Sequence, residues 1–315
     1  MQVIEPIRRS SSNDPIDHRI LHVLQRDGRI SNLKLAEEVN RSPSAVLERV
    51  RRLKREGYIL GYQARLSREK LGIEVLAFVE VQLERMSGEL MARFEAAVRE
   101  RPAIIECHLI AGTFDYLLKV LVTDMHACRE LVEQEIARLP GVREARTHAG
   151  VEPPAVVPAA ASTQRLDPVD AALLRLLQAD GRLSVARLAE TLQLVASAVR
   201  ERLARLSRKG YILGYVAVLN EAKFNPGLLV FAAIRCSGSA GDVAHALRRA
   251  MHGCREFVEC HEIGGDFDLL LKTRVETMAQ YHALIESRVW TLAGVREVRT
   301  HAAISEVKNT ARIPL

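Results

Sequence analysis

The 315-residue sequence contains no run of about 18 apolar residues, the length a membrane-crossing helix needs, so no transmembrane segment is expected. Its first residues carry Arg8-Arg9 and a serine run without an apolar core, which predicts no secretory signal. Cysteine is scarce: five residues, an odd number without Cys-x-x-Cys spacing, fit a reducing cytoplasm better than a disulfide scaffold. Tryptophan occurs once, at Trp290. At 48% hydrophobic and 27% charged, the composition excludes a disordered or low-complexity chain. The excess of charge of one sign is small, 45 Lys+Arg against 39 Asp+Glu, or +6, so its placement matters more than its size.

What the sequence has is a duplication. Asp27-Gly28-Arg29-Ile30-Ser31 returns as Asp180-Gly181-Arg182-Leu183-Ser184, Gly57 to Tyr62 returns unchanged as Gly210 to Tyr215, and Glu106-Cys107-His108 returns as Glu259-Cys260-His261. Of the 137 positions from Pro15 to Val151, 56 are identical 153 residues later without a gap, so the units are domain-sized copies rather than the short repeats of a solenoid. Pro153 to Gln164, rich in Pro and Ala and without charge, reads as the linker between them.

In copy one, Asp14-Pro15 opens a helix with Ile16, Ile20, Leu21 and Leu24 at helical spacing, and Gly28 stops it. Ser31 caps a second, short helix. After a break at Asn40-Arg41, Ser42 caps and Pro43 opens a third helix running to about Glu56. Short helix, turn and basic helix make a helix-turn-helix, and Tyr58 to Leu66 reads as a strand or wing. The charge concentrates here. Arg41 to Glu56 holds six Lys/Arg and two Glu, and Gln193 to Lys209 holds five and one, so each is +4 and the remainder of the chain is slightly acidic.

On the third helix Val46, Val50 and Leu53, with Val199, Leu203 and Leu206 in copy two, form the stripe expected to be buried. Ser44, Glu48, Arg52 and Arg55 lie opposite and recur as Ser197, Glu201, Arg205 and Arg208, and Arg49 recurs as Arg202. That retained face, together with the capping serines Ser31, Ser42 and Ser184, predicts DNA contact through Ser44, Arg49, Arg52 and Arg55 in copy one and Ser197, Arg202, Arg205 and Arg208 in copy two. Ser42-Pro43 becomes Val195-Ala196, so the second reading helix loses its cap, a change that typically costs about 1 kcal/mol.

The rest of each copy reads as strand, helix, strand, strand, helix, strand: Val75 to Leu83, Gly88 to Glu100, Ile104 to Ile110, Tyr116 to Val122, Met125 to Leu139 and Gly141 to Val151, repeated from Leu228 to Val307. The order βαββαβ is that of a ferredoxin-like sandwich, so the predicted fold class is α+β. Adjacent strand residues face opposite ways, so Cys107-His108 and Cys260-His261 are not joint metal ligands, and no metal or cofactor is expected. His148 and His301 read as residues of the sheet face.

The Asp-Gly-Arg-Ile-Ser run, Leu47 to Leu53, the Gly57 to Tyr62 hinge and Gly112-Thr113-Phe114-Asp115 through Lys119 resemble the Lrp/AsnC regulators, over nearly all of both copies. The resemblance implies, in each copy, a winged helix-turn-helix followed by a ligand-sensing sandwich, the RAM domain. It implies double-stranded DNA as partner, a small-molecule effector that is usually an amino acid, and self-association through RAM domains. The family usually has one such unit per chain. Here two are fused, with a lead-in at 1–14, helix-turn-helix domains at 15–66 and 167–219, RAM domains at 67–152 and 220–315, and a linker at 153–166. By resemblance the effector-binding loops are Gly112, Thr113, Phe114 and Asp115, and Gly265, Asp266, Phe267 and Asp268. The reading is a cytoplasmic DNA-binding regulator that is not an enzyme. The alternative is a sirohaem-decarboxylase-like tetrapyrrole enzyme on the same fused fold, although Gly112 to Asp115 stands where those enzymes carry a His-x-Tyr-Asn-type run.

Overall fold

The computed structural model describes residues 14–150, 166–224 and 227–315. The predicted lead-in up to residue 13 and the linker residues 153–165 lie outside them. The chain divides across its copies: one compact unit gathers residues 14–71 with 166–224, the other 72–150 with 227–314. Like domain pairs with like.

In the first unit, α1 (Pro15–Arg26) starts where the Asp14 carboxylate accepts from Ile16 N, and it buries Ile20, Leu21 and Leu24. The helices α2 (Asn32–Glu38) and α3 (Pro43–Arg55) are capped by Ser31 and Ser42, whose hydroxyls accept from Lys34 N and Ala45 N. The break between them turns on Asn40 at φ +53°, a left-handed conformation that Asn tolerates. Copy two repeats this as α6 (Pro168–Ala179), α7 (Val185–Leu192) and α8 (Ala196–Arg208). There α8 has no side-chain cap, as the loss of serine at 195 predicts, and Gln193 takes the left-handed turn. Of the stripe expected to be buried, Leu203 is only half-buried.

The strand after each third helix is not a wing hairpin of its own copy. β1 (Ile59–Leu66) pairs antiparallel with β6 (Ile212–Leu219), Tyr62 opposite Ala217 and Ala64 opposite Tyr215. The repeated motifs form the seam between the copies. Gly28 N donates to Tyr215 O and Gly181 N to Tyr62 O, each at 2.7 Å. A Cβ at Gly28 would lie 2.7 Å from the Val216 backbone, and one at Gly181 would lie 2.7 Å from that of Gln63, so only glycine admits the approach. Arg29 Nε donates to Gly181 O at 2.6 Å and its guanidinium covers the Tyr215 ring, while Arg182 donates to Gly28 O at 2.7 Å and covers Tyr62.

The second unit holds two βαββαβ layers. Copy one contributes β2 (Val75–Leu83), α4 (Gly88–Arg99), β3 (Ile104–Ala111), β4 (Tyr116–Val122), α5 (Met125–Glu130, continued by a π turn and a 3-10 turn to Arg138) and β5 (Val142–Ala149). A short helix α9 (Glu221–Phe224) precedes copy two's β7 (Leu228–Cys236), α10 (Ala240–Met251), β8 (Phe257–Glu262), β9 (Leu269–Val275), α11 (Met278–Arg288) and β10 (Val295–Asn309). The strands run β5-β2-β4-β3-β10-β7-β9-β8. β10 spans both copies: its first half pairs with β7, and residues 302–309 pair with β3. At the other junction, just past the ends of β5 and β8, Gly150 bridges Ile263 and Gly264 N donates to Ala149 O at 2.7 Å.

Each copy has its own apolar core under its helices, with Phe94, Leu118 and Ile136 in one and Phe257, Leu271 and Tyr281 in the other. The opposite faces meet each other through charge. Lys119 Nζ lies 3.1 Å from Glu106 and 2.5 Å from Glu259, Lys272 lies 2.6 Å from Glu106 and 3.4 Å from Glu259, and His108 and His261 flank the two carboxylates. Burial pushes the Glu106 carboxyl up, but His108, Lys272 and Lys119 outweigh it and hold the group well below the ordinary carboxylate range.

Gly28→Ala is expected to push its turn off β6 and destabilise the first unit by about 1–3 kcal/mol, as overpacking does. Gly61→Ala, whose added methyl meets nothing within 4 Å, serves as the control. Urea unfolding followed by circular dichroism checks the difference, and equal midpoints for the two variants would contradict the close approach.

Candidate nucleic-acid interface

The arginines of α3 divide into two groups. Arg49 lies 2.8 Å from Asp14 and 2.9 Å from Asp17, and Arg52 pairs with the other oxygen of Asp17. Copy two repeats this clamp, with Arg202 at 2.6 Å from Asp167 and 2.9 Å from Asp170, and Arg205 at 2.6 Å from Asp170. Asp17 is 0% and Asp170 4% exposed, so these carboxylates need the guanidinium partners. The pairing with Asp17 first, and then with Asp14, raises the Arg49 pKa. The Asp167 carboxyl is held below its ordinary range by Arg202 and then by Val169 N.

Retention of Arg49, Arg52, Arg202 and Arg205 across the copies therefore follows from a clamp between first and third helices, and is not evidence that they read bases. The sequence signal for the clamp was Asp17 recurring as Asp170, 32 and 35 residues before its partners.

Outside the clamp, Ser44, Leu47, Glu48, Arg51, Lys54 and Arg55 are exposed on α3, and Ser197, Arg200, Glu201, Ala204, Ser207 and Arg208 on α8. Arg41, Arg51, Lys54 and Arg55 against Glu48 and Glu56 leave +2 in copy one. Arg200, Arg208 and Lys209 against Glu201 leave +2 in copy two. Ser31, Ser42 and Ser184 act as N-caps, so their hydroxyls already accept backbone N–H groups. The structure thus places Ser44, Arg55, Ser197 and Arg208 on an open basic face, with Arg49 and Arg202 partly buried and Arg52 and Arg205 partly exposed beside it while paired to Asp17 and Asp170.

In the second unit, the predicted effector loops join β3 to β4 and β8 to β9. Asp115 and Asp268 accept from Leu83 N and Cys236 N, each at 2.7 Å, so both carboxylates fasten their own loops. Phe114 and Phe267 are buried, whereas Gly112, Thr113, Gly265 and Asp266 are exposed. Each loop packs on the other copy's last strand. Phe114 lies 4.8 Å from the His301 ring, and a Cβ at Gly265 (φ +126°) would meet His148 Nδ1 at 2.7 Å. Phe114, Phe267, His148, His301, Phe78 and Glu80 line a cavity of about 10 Å³, room for about one water.

His148 and His301 are thus buried between the sheets. His148 Nε2 lies 3.3 Å from Glu80, whose pairing raises the His148 pKa. The residue equivalent to Glu80 is Ala233, and burial lowers the pKa of His301. Cys107 belongs to an apolar core while His108 faces the other sheet, so the two do not converge on one ion.

Comparison with known proteins gives a consistent set of matches. The profile described as "Lrp/AsnC ligand binding domain" matches residues 76–153 and again 229–313. A "Winged helix-turn-helix DNA-binding" profile matches 13–59, and an "AsnC-type helix-turn-helix domain" matches 166–207. The leucine-responsive regulatory protein of Salmonella typhimurium strain LT2 is 49% identical over 139 residues, 44% of this chain and 85% of that protein. Its namesake from Escherichia coli strain K12 is 48% identical over the same shares. The solved structure of the siroheme decarboxylase NirDL superposes with a TM-score of 0.67 over 95% of this chain and 94% of that one, at 15% identity, a likeness of fold alone. Among the described residues no helix is long and apolar enough to cross a membrane.

Arg52→Ala is expected to destabilise the first unit by about 1–3 kcal/mol through the clamp, whereas the exposed Arg55→Ala should stay within about 0.5 kcal/mol. Equal unfolding midpoints would contradict the clamp. Imidazole NMR titration should find His148 above and His301 below the ordinary value of 6.5. The stability that His148 contributes is complete below 6.5 and is lost as pH rises through its folded pKa. That of His301 is present above 6.5 and is lost as pH falls through its own. Glu80→Ala should bring His148 down toward His301, and the reverse order would overturn the assignment.

Proposed function

The chain belongs to the Lrp/AsnC family of DNA-binding regulators, and on that premise we propose that it recognises specific DNA sequences and that a small molecule, an amino acid or a relative of one, tunes its affinity from between the RAM domains. The observation that carries the reading is the pair of helix-turn-helix domains held side by side by β1 and β6, each with an exposed +2 helix face outside its clamp. A helix of this kind enters the major groove, where side chains near its start read base edges and later arginines hold phosphates. Ser44 and Ser197 stand at the reading end, and Arg55 and Arg208 at the phosphate end. The capped N-termini at Ser31, Ser42 and Ser184 offer backbone N–H groups toward phosphate.

For the effector, the exposed rims Gly112-Thr113 and Gly265-Asp266 form the mouth, and Phe114 and Phe267 the floor, of a site that opens where the copies meet. The loop aspartates Asp115 and Asp268 each accept a backbone N–H through one oxygen and so fasten the loops that shape it. The ammonium of an amino acid would find Asp266 at the rim and Glu80 within. A ligand that widens the seam between the sheets shifts the population between arrangements of the paired units, and DNA affinity follows.

Fluorescence anisotropy on genomic fragments should show affinity falling steeply with salt, the log–log slope steepening by about 0.9 per phosphate held. Arg55→Ala and Arg208→Ala should each reduce that slope by about one contact without changing the melting temperature. At fixed salt, single amino acids added in turn should include at least one that shifts the binding curve. A salt-insensitive curve would contradict the regulator reading, and a regulator that responds to no amino acid would contradict the effector assignment alone.

A further inference from the structure

The two reading helices keep the clamp and most of the buried stripe, and they keep Ser44, Glu48 and Arg55 on the exposed face while the rest of that face changes. The clamp residues Arg49 and Arg52 recur as Arg202 and Arg205 with the same partners, and the buried Val46 and Leu53 recur as Val199 and Leu206. Three exposed positions change in kind: Leu47 becomes Arg200, Arg51 becomes Ala204, and Lys54 becomes Ser207. Leu47 and Arg51 are one turn apart on the same strip of α3, as Arg200 and Ala204 are on α8.

The arginine of that strip has therefore moved. On α8 it is the fifth residue of the helix, and on α3 the ninth. Four residues at about 1.5 Å of rise displace the charge by about 6 Å toward the helix N-terminus, nearly two base steps of about 3.4 Å. At the fifth position α3 presents Leu47 instead, apolar and 39% exposed. The N-cap changes as well: Ser42 becomes Val195, 68% exposed.

We propose that the exposed residues Leu47, Arg51 and Lys54 on one helix, and Arg200, Ala204 and Ser207 on the other, make this chain read two unlike half-sites, so that its operator is asymmetric. The inference rests on the DNA-binding reading above and adds which residues set the sequence. An arginine early in a reading helix donates two hydrogen bonds to guanine, whereas a leucine there favours a thymine methyl. The half-site under α8 accordingly carries a guanine contact that the half-site under α3 lacks. Because one chain carries both helices in a fixed order, the asymmetry has a direction: the two half-sites are not interchangeable, unlike those read by two identical chains.

The test is selection of binding sites from random duplex DNA by the full chain and by two face swaps. One swap is Leu47→Arg with Arg51→Ala and Lys54→Ser; the other is Arg200→Leu with Ala204→Arg and Ser207→Lys. The wild-type chain should enrich an asymmetric pair of half-sites, and each swap a pair of like halves, the first like the α8 half and the second like the α3 half. Arg200→Ala should lose about ten-fold or more on the wild-type site and little on a site whose guanine is replaced. The changed side chains lie on the exposed face, but Lys54 Nζ also stands 4.7 Å over the Tyr62 ring, so the first swap gives up one cation–π contact and should melt slightly lower than the wild type; a cooperative melt for each variant confirms folding. A symmetric wild-type site, or swaps that bind with an unchanged motif, would overturn the proposal. Enrichment by none of the three folded proteins would overturn the DNA-binding reading and this inference with it.

Discussion

The structure depends on one reciprocal contact: each copy's Asp-Gly-Arg turn lies against the other copy's strand, with glycine backbone on strand backbone and arginine on tyrosine. Neither β1 nor β6 has another partner in its sheet, and a lone strand has no ladder to satisfy its N–H and C=O groups. Fusion makes that partner part of the same chain. The helix-turn-helix pair, the order of its reading helices and the eight-stranded arrangement of the second unit all follow from the two copies folding on each other.

Charge specifies both pairings. Buried ion pairs add little net stability over apolar packing, yet a broken one is expensive, so they penalise wrong partners more than they reward right ones. The Lys119, Lys272, Glu106 and Glu259 cluster alternates sign across the copies and is satisfied only when the two sheets meet in one register. The clamp on Asp17 and Asp170 acts within a domain in the same way and fixes the angle at which each third helix stands on its first. The reading face is thereby rigid at its base and free to vary at its surface, where the copies have diverged.

Much of this was legible in the sequence because it is local. Caps, glycine stops and 3.6-residue spacing place α1, α2 and α3 within a residue or two, and the βαββαβ order emerges from alternating apolar runs. The long-range pairings were not legible. A strand at Tyr58 to Leu66 carries no mark of whether it turns back on itself or crosses to another copy, and only the structure shows β1 on β6. The tail from Glu306, present in copy two alone, completes the strand half, residues 302–309, that pairs with β3. In copy one the chain reads Pro153-Pro154 beyond the last strand, residues without the N–H that a ladder needs. The arginines carry a related ambiguity: a repeated residue shows that something holds it, not what. Arg49 and Arg52 recur on one helix face, and only the structure shows Asp17, 32 and 35 residues before them and buried, paired with both. His148 and His301, alike in sequence, differ because Glu80 on the neighbouring strand has become Ala233.

A single chain that forms its own pseudo-twofold pair has a property that two identical chains lack: its two faces drift apart independently, while the clamp and the seam hold both folds constant. The measurement that tests this most directly is oxidation of a Gln63→Cys/Val216→Cys variant, two positions that face each other in the β1–β6 register. At high dilution the structure predicts a disulfide linking residues 63 and 216 within one chain, seen by peptide mapping at the mass of a single chain. Crosslinks that double the mass, or no crosslink at all, would contradict the pairing of the two copies on each other.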